Sequence, residues 1–134
     1  MQQLSVFLEN RAGSLESALA ILASANIDIR AMALSDTSDF GILRLIVNEH
    51  PKAQELLLAS GFTVGNTDVI VLGLEDRPGA LLAVVGLLAE NNINIEYMYP
   101  FACKGLALPG MVMRFDKMEY AREKLAEMDI AEMS

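Results

Sequence analysis

Gln3 to Glu9 alternates apolar and polar side chains. Leu4, Val6 and Leu8 share one face, the pattern of a strand buried on one side. Asn10 to Gly13 reads as a turn. From Ser14 to Ala25, Leu15, Leu19 and Leu22 recur at i, i+4 and i+7, which predicts an amphipathic helix with those residues inward. Asn26 stops that helix, because Asn tolerates the left-handed conformation of a helix C-terminus. Ile27, Ile29 and Ala31 begin a second strand, Ser35 to Asp39 is polar and turn-like, and Phe40 to Val47 is an apolar, branched third strand. Pro51 suits a helix start, Ala53 to Ser60 continues it, and Gly61 closes it. Phe62 to Val64 then begins a fourth strand.

The same pattern returns further along. Asn10-Arg11-Ala12-Gly13-Ser14-Leu15 resembles Asp76-Arg77-Pro78-Gly79-Ala80-Leu81, 66 residues later. At that spacing Leu4, Val6 and Leu8 fall on Ile70, Leu72 and Leu74, and Leu15, Leu19 and Leu22 fall on Leu81, Val85 and Leu88. Asn26-Ile27-Asp28-Ile29 falls on Asn92-Ile93-Asn94-Ile95, and Met32 on Met98. Ala53 and Leu57 match Ala121 and Leu125 at a spacing of 68, so the second copy gained two residues in the loop between. A register kept through strand, turn, helix and strand is the mark of an internal duplication. The second copy runs Val69 to Leu74, Ala80 to Glu90, Asn94 to Phe101, Met111 to Phe115 and Lys117 to Glu127. Only Ile130 to Met133 is left for a last strand, which is therefore short or absent.

Strand–helix–strand–strand–helix–strand is the ferredoxin-like, split βαβ arrangement, with an antiparallel sheet and both helices on one face. The expected fold class is α+β. It consists of two tandem ferredoxin-like βαββαβ units, residues 1–66 and 67–134, packed side by side with antiparallel sheets. Their second strands are expected to pair into one longer sheet. The bare sheet face needs cover, which favours a homodimer.

Composition narrows the function. The 134 residues are 53% hydrophobic and 21% charged, enough apolar side chain for a continuous core. The net charge of −8, with no Lys/Arg cluster, argues against broad nucleic-acid binding. The longest apolar run considered, Ala80 to Ala89, is about half a membrane span, so no membrane association is expected. No signal peptide is visible. The single cysteine, Cys103, forms no intrachain disulfide, which fits a cytoplasmic protein. His50, the single histidine, supports neither a His-based metal site nor a Ser-His-Asp set, and its place before Pro51 suggests an exposed loop or cap role. Glycine-rich nucleotide-binding loops are absent, and no cofactor or metal is expected. The eight methionines read as adaptable core filler. The aromatic stretch Tyr97, Met98, Tyr99 and Phe101 suits core or interface packing, or the apolar wall of a ligand site.

The repeated turn is the most informative chemistry. Pro78 pre-sets a backbone angle near a helix start, and Gly79 permits a tight turn and close approach by a ligand. The helix that follows presents free N–H groups at its positive end, able to hold a carboxylate. The same residues are also ordinary turn and cap chemistry. With Asn92-Ile93-Asn94-Ile95 after the helix, Asp76 to Leu81 resembles an ACT domain, and Asn10 to Leu15 with Asn26 to Ile29 resembles a second. The likeness covers nearly the whole chain. It implies a regulatory module that binds a free amino acid or similar small ligand and acts on a separate enzyme of amino-acid metabolism. It implies ligand contacts from Asn10, Arg11, Ala12, Gly13, Ser14 and Leu15, and from Asp76, Arg77, Pro78, Gly79, Ala80 and Leu81. Asn26, Ile27, Asp28 and Ile29, and Asn92, Ile93, Asn94 and Ile95, would lie opposite the turn of a neighbouring unit. Ala12 in place of the usual Pro, the long loop Ala102 to Pro109 and the curtailed last strand depart from the pattern. A ligand-free dimerisation module is the alternative. A small ferredoxin-like enzyme is a weaker one, since no acid–base pair sits in a motif and no catalytic role is expected.

Overall fold

The computed structural model describes residues 1–36, 39–102, 105, 107–130, 132 and 133. Cys103 and parts of the Ser35–Asp39 and Ala102–Pro109 segments lie outside them. The element order is β1 (Gln2–Glu9), α1 (Ser14–Ser24), β2 (Ile29–Asp36), β3 (Phe40–Val47), α2 (His50–Ala59), β4 (Thr63–Asp68), β5 (Ile70–Gly73), α3 (Ala80–Glu90), β6 (Ile95–Phe101), β7 (Gly110–Phe115) and α4 (Met118–Glu127). The chain divides into two compact units, Gln2–Thr67 and Asp68–Ser134 together with Met1.

In the first unit the strand order is β2-β3-β1-β4. β1 and β3 run antiparallel with Leu4 opposite Leu45 and Val6 opposite Leu43, and β2 pairs antiparallel with the other edge of β3. Helices α1 and α2 pack on the face carrying Leu4, Val6, Leu8, Leu43 and Leu45, all buried in one core with Leu22, Ala53 and Leu57. The second unit repeats this as β5-β7-β6, with Ile70 opposite Met113 and Leu72 opposite Met111. Its core gathers Ile70, Leu72, Val84, Leu88, Met113, Phe115, Ala121 and Leu125. The register irregularity between Ile29 and Ala31 recurs between Ile95 and Tyr97, so even the bulge was duplicated. The two second strands, β2 and β6, each end their own sheet. The expected single sheet is thus replaced by two. The curtailed last strand survives as one bridge, Leu72 opposite Glu132, backed by the Met133 N–H donating to the Val71 carbonyl at 2.8 Å.

The four helices of the described residues stop the same way. The N–H groups of Ile27, Phe62, Ile93 and Ile130 reach back to the carbonyls of Leu22, Leu57, Leu88 and Leu125, at 3.0, 3.0, 2.9 and 3.2 Å. The residue before each, Asn26, Gly61, Asn92 or Asp129, has positive φ (57°, 90°, 55° and 60°). This is the Schellman arrangement, with an apolar residue after the turn packing back on the helix.

Leu22 and Leu88 face inward as expected, but in the first turns of α1 and α3 the inward face is one residue off. α1 buries Ser14, Ala18 and Leu22, and α3 buries Ala80, Val84 and Leu88, while Leu15, Leu19, Leu81 and Val85 are half-buried. Small side chains at the start of each helix let its first turn lie close on the sheet, and the leucines flank that contact. Core filling by methionine holds in part. Met113 is fully buried and Met111 and Met118 pack against the same core, but Met32, Met98 and Met128 are exposed. No described helix is long and apolar enough to cross a membrane.

In the second unit Arg122 of α4 ties the C-terminal bridge to Asp68, just before β5. Its guanidinium donates to Asp68 Oδ2 at 2.8 Å and Glu132 Oε2 at 3.1 Å, with Glu119 Oε1 at 2.7 Å. Hydrogen bonds to Glu132 and then Asp68 raise its pKa further above the ordinary arginine value.

Candidate functional site

The turn between first strand and first helix is built alike in both units. β1 ends at Glu9, whose carbonyl accepts the Arg11 N–H at 2.8 Å and whose carboxylate pairs with Arg11 Nε at 2.7 Å. In the second unit the Glu75 carbonyl accepts the Arg77 N–H at 3.0 Å, and the Glu75 carboxylate meets Arg77 Nε at 2.5 Å. Gly13 and Gly79 follow at φ 91° and 86°, a conformation that L side chains rarely adopt. A Cβ at either position would meet nothing within 4 Å, so it is the backbone angle, not crowding, that asks for glycine.

The helices then begin with few internal partners. The N–H groups of Ser14 and Ala80 donate to the carbonyls of Arg11 and Arg77 at 3.3 Å, and the first i→i−4 bonds are Ser17 to Gly13 and Ala83 to Gly79, both 3.0 Å. The N–H groups of Leu15 and Glu16, and of Leu81 and Leu82, are left without a helical acceptor. Neither helix has a side-chain N-cap. Two outward donors at a positive helix end, beside an exposed arginine, suit a small anion.

Concavities flank these turns. In the first unit one of about 690 Å³ lies on the helix side, walled by Glu9, Arg11, Ser14, Ser17, Ile21 and Phe62 among others. A smaller one of about 230 Å³ lies toward the end of β2, where Asn10, Arg11, Ser14 and Leu15 meet Leu34 and Asp36. The second unit has a helix-side counterpart of about 480 Å³, walled by Glu75, Arg77, Ala80, Ala83, Leu108 and Ile130 among others. Glu9/Glu75, Arg11/Arg77, Ser14/Ala80, Ser17/Ala83 and Phe62/Ile130 are equivalent positions, so the site itself is duplicated.

The sequence-predicted residues fall into two groups. Asn10, Arg11, Ala12 and Gly13, and Asp76, Arg77, Pro78 and Gly79, are exposed on the turns, with Ser14 and Ala80 buried and Leu15 and Leu81 half-buried behind them. Asn26 to Ile29 and Asn92 to Ile95 lie at the other ends of α1 and α3. Those are helices of 11 residues, so about 16 Å away along each axis. Ile27 and Ile93 are buried in the cores of their own units, and Ile29 and Ile95 pack against them. The Asp28 N–H donates to Asn48 Oδ1 at 3.0 Å and the Asn94 N–H to Asp116 Oδ1 at 2.9 Å, which fixes the entry to β2 and β6. Within one unit the two groups do not meet.

Tyr97 and Tyr99 stack at 6.4 Å, with Tyr99 and Phe101 buried. His50 is half-buried rather than exposed. It opens α2 and its Nε2 pairs with Asn66 Oδ1 at 2.7 Å, which ties the helix to β4. Among the described residues no cluster of His, Cys, Asp or Glu is arranged to hold a metal ion. Glu9 and Glu75 escaped the sequence reading, although they stand 66 residues apart and two residues before each arginine. Ser17, Ile21 and Phe62 escaped it because they come together only through the packing of α1 against the end of α2.

Comparison with known proteins places this arrangement. The family model of the ACT domain pair matches residues 1–133, and the chain belongs to that family. Among solved structures it is similar to protein BT0572 from Bacteroides thetaiotaomicron, at 38% identity and TM-score 0.90, over 98% of this chain and 90% of that one. Two others share the fold. The regulatory subunit of aspartate kinase from Thermus thermophilus, in ligand-free form, has 17% identity and TM-score 0.66 over 96% and 90% of the two chains. That from Thermus flavus has 16% and 0.63 over 93% and 88%. No curated protein sequence matches the chain.

Proposed function

We propose that this ACT domain pair is a small-molecule-binding regulatory protein whose ligand is a free amino acid, and that it acts on a separate enzyme of amino-acid metabolism in the cytoplasm. The observation that carries the reading is the duplicated turn. Each copy offers an exposed Glu–Arg pair, a glycine at positive φ and a helix N-terminus with two N–H groups lacking helical partners. A carboxylate suits the helix end and the arginine, and an ammonium suits the glutamate. The two aspartate kinase regulatory subunits, proteins of the same fold, support a regulatory role in that metabolism.

On this reading residues 1–66 and 67–134 are the two ACT domains, and the ligand contacts come first from Asn10 to Leu15 and from Asp76 to Leu81. Asn26 to Ile29 and Asn92 to Ile95 contribute where a neighbouring copy of the fold brings them to a turn, and they do so through backbone, since Ile27 and Ile93 are core. The protein works as a homodimer without metal or cofactor. A thermal-shift screen of the free amino acids tests the reading. At least one is expected to raise the melting temperature at millimolar concentration, and no rise with any of them would contradict it.

A further inference from the structure

The apolar run Ala80 to Ala89 exceeds what the core of its unit uses. Ala80, Val84 and Leu88 bury the inward face of α3. On the outward face Leu82 is 73% exposed, Ala83 and Ala89 are exposed, and Gly86 lies half-buried between them. The first charge of the helix comes only at Glu90. At the equivalent positions α1 carries Glu16, Ser17, Ala20 and Ala23, so the first copy opens its outward face with polar residues where the second has Leu82 and Ala83. Gly86 adds an independent sign. Glycine inside a helix is disfavoured against the alanine that α1 has at that place. A Cβ at Gly86 would meet nothing within 4 Å, so packing within the chain does not ask for glycine. What glycine gives there is room for another backbone to come close. Leu108 and Met128, 40% and 37% exposed, wall the same cavity as Ala83, so the apolar surface is wider than one helix.

We propose that the outward face of α3 is the surface through which two copies of the chain pair, with the two α3 helices antiparallel and crossing at Gly86. Charge selects a second copy as the occupant. A chain of net charge −8 repels its own kind, and α3 offers ten residues, Ala80 to Ala89, over which two copies meet without opposed carboxylates. The antiparallel arrangement also sets the positive start of each helix against the negative end of the other. Glu90, at the negative end of its own helix, then lies beside the first turn of its partner's. The pattern is self-complementary about a two-fold axis: Gly86 meets Gly86, and Ala83 of each copy meets Ala89 of the other. The inference rests on the homodimer named above. What it adds is the surface, and that only the second ACT domain carries it.

Sedimentation of the full chain and cross-linking test it together. Leu82→Glu gives α3 the residue that α1 carries at the same place, on a side chain that is mostly exposed. It is expected to raise the dissociation constant of the dimer about a hundredfold. In a chain that also carries Cys103→Ser, Gly86→Cys is expected to oxidise to a disulfide-linked dimer, because the crossing brings the two copies of position 86 together. Ala20→Cys in the same background, at the equivalent position of α1, is expected not to cross-link. A dimer that Leu82→Glu leaves unchanged, with no cross-link through position 86, would overturn the α3 pairing, leave the homodimer standing and give this face to another occupant. A natural chain that stays monomeric at tens of micromolar would overturn both.

Discussion

Asn26 and Asn92 hold φ near 57° and 55°, where most side chains are strained, and each passes the chain into a buried isoleucine. Their place in the repeat follows from that conformation. Asn26→Ala and Asn92→Ala should each destabilise their unit by about 1 kcal/mol, and the glycine variants should be close to neutral. Urea unfolding measures both. The glycines of the turns follow the same logic. Gly79→Val meets no neighbouring atom, so its core should stay intact, but the left-handed angle should cost about 1–2 kcal/mol. The same variant should block the ligand by setting a branched side chain where the backbone is approached. A folded Gly79→Val protein with unchanged affinity would make the turn purely structural. These residues were legible in the sequence because positive φ leaves a chemical trace, Gly or Asn at a fixed place. Ser14 was legible only as a turn member. Its burial depends on how closely α1 lies on the sheet, which no local pattern records.

At the scale of elements, periodicity located the described helices and strands and the curtailed end of the chain, and it misjudged which residues of the first two turns of α1 and α3 face inward. Leu15 and Leu19 are the larger apolar residues, so they were read as core, but Ser14 and Ala18 take that place because a small side chain permits close approach. Ser14→Leu should therefore overpack the first turn of α1 and destabilise the unit by about 1–3 kcal/mol, more than Leu19→Ser at the half-buried flank. Thermal unfolding of the two variants would reverse in order if the leucine face were the inner one. Arg122 is the other element-scale anchor. It holds α4, Asp68 and the single bridge at Glu132 together, with 26% of its side chain exposed. Replacing it by Met should cost about 1 kcal/mol at low salt, less at high salt, because its carboxylate partners are a third or more exposed.

At the scale of the molecule, duplication is preserved down to the helix ends, the bulges and the Glu–Arg pairs, yet the two sites have diverged. Asn10, Ala12 and Ser14 stand where the second copy has Asp76, Pro78 and Ala80. Pro78 narrows the conformations of its turn before binding, Asp76 adds a charge that repels a carboxylate and attracts an ammonium, and Ser14 supplies a hydroxyl that Ala80 lacks. Three differences at one site leave no reason for equal affinity, so two unequal constants are expected. Sedimentation at tens of micromolar should show a homodimer, and monomer alone would reject it.

The central claim is that the repeated turns bind an amino acid, and calorimetric titration of the full chain tests it most directly. The account predicts saturable heat from at least one free amino acid, with a dissociation constant between about 1 μM and 1 mM, corresponding to roughly 4–8 kcal/mol. It further predicts a two-step isotherm or a single site per chain. Two indistinguishable sites per chain would contradict the divergence of the turns, and no saturable heat from any free amino acid would contradict the claim itself.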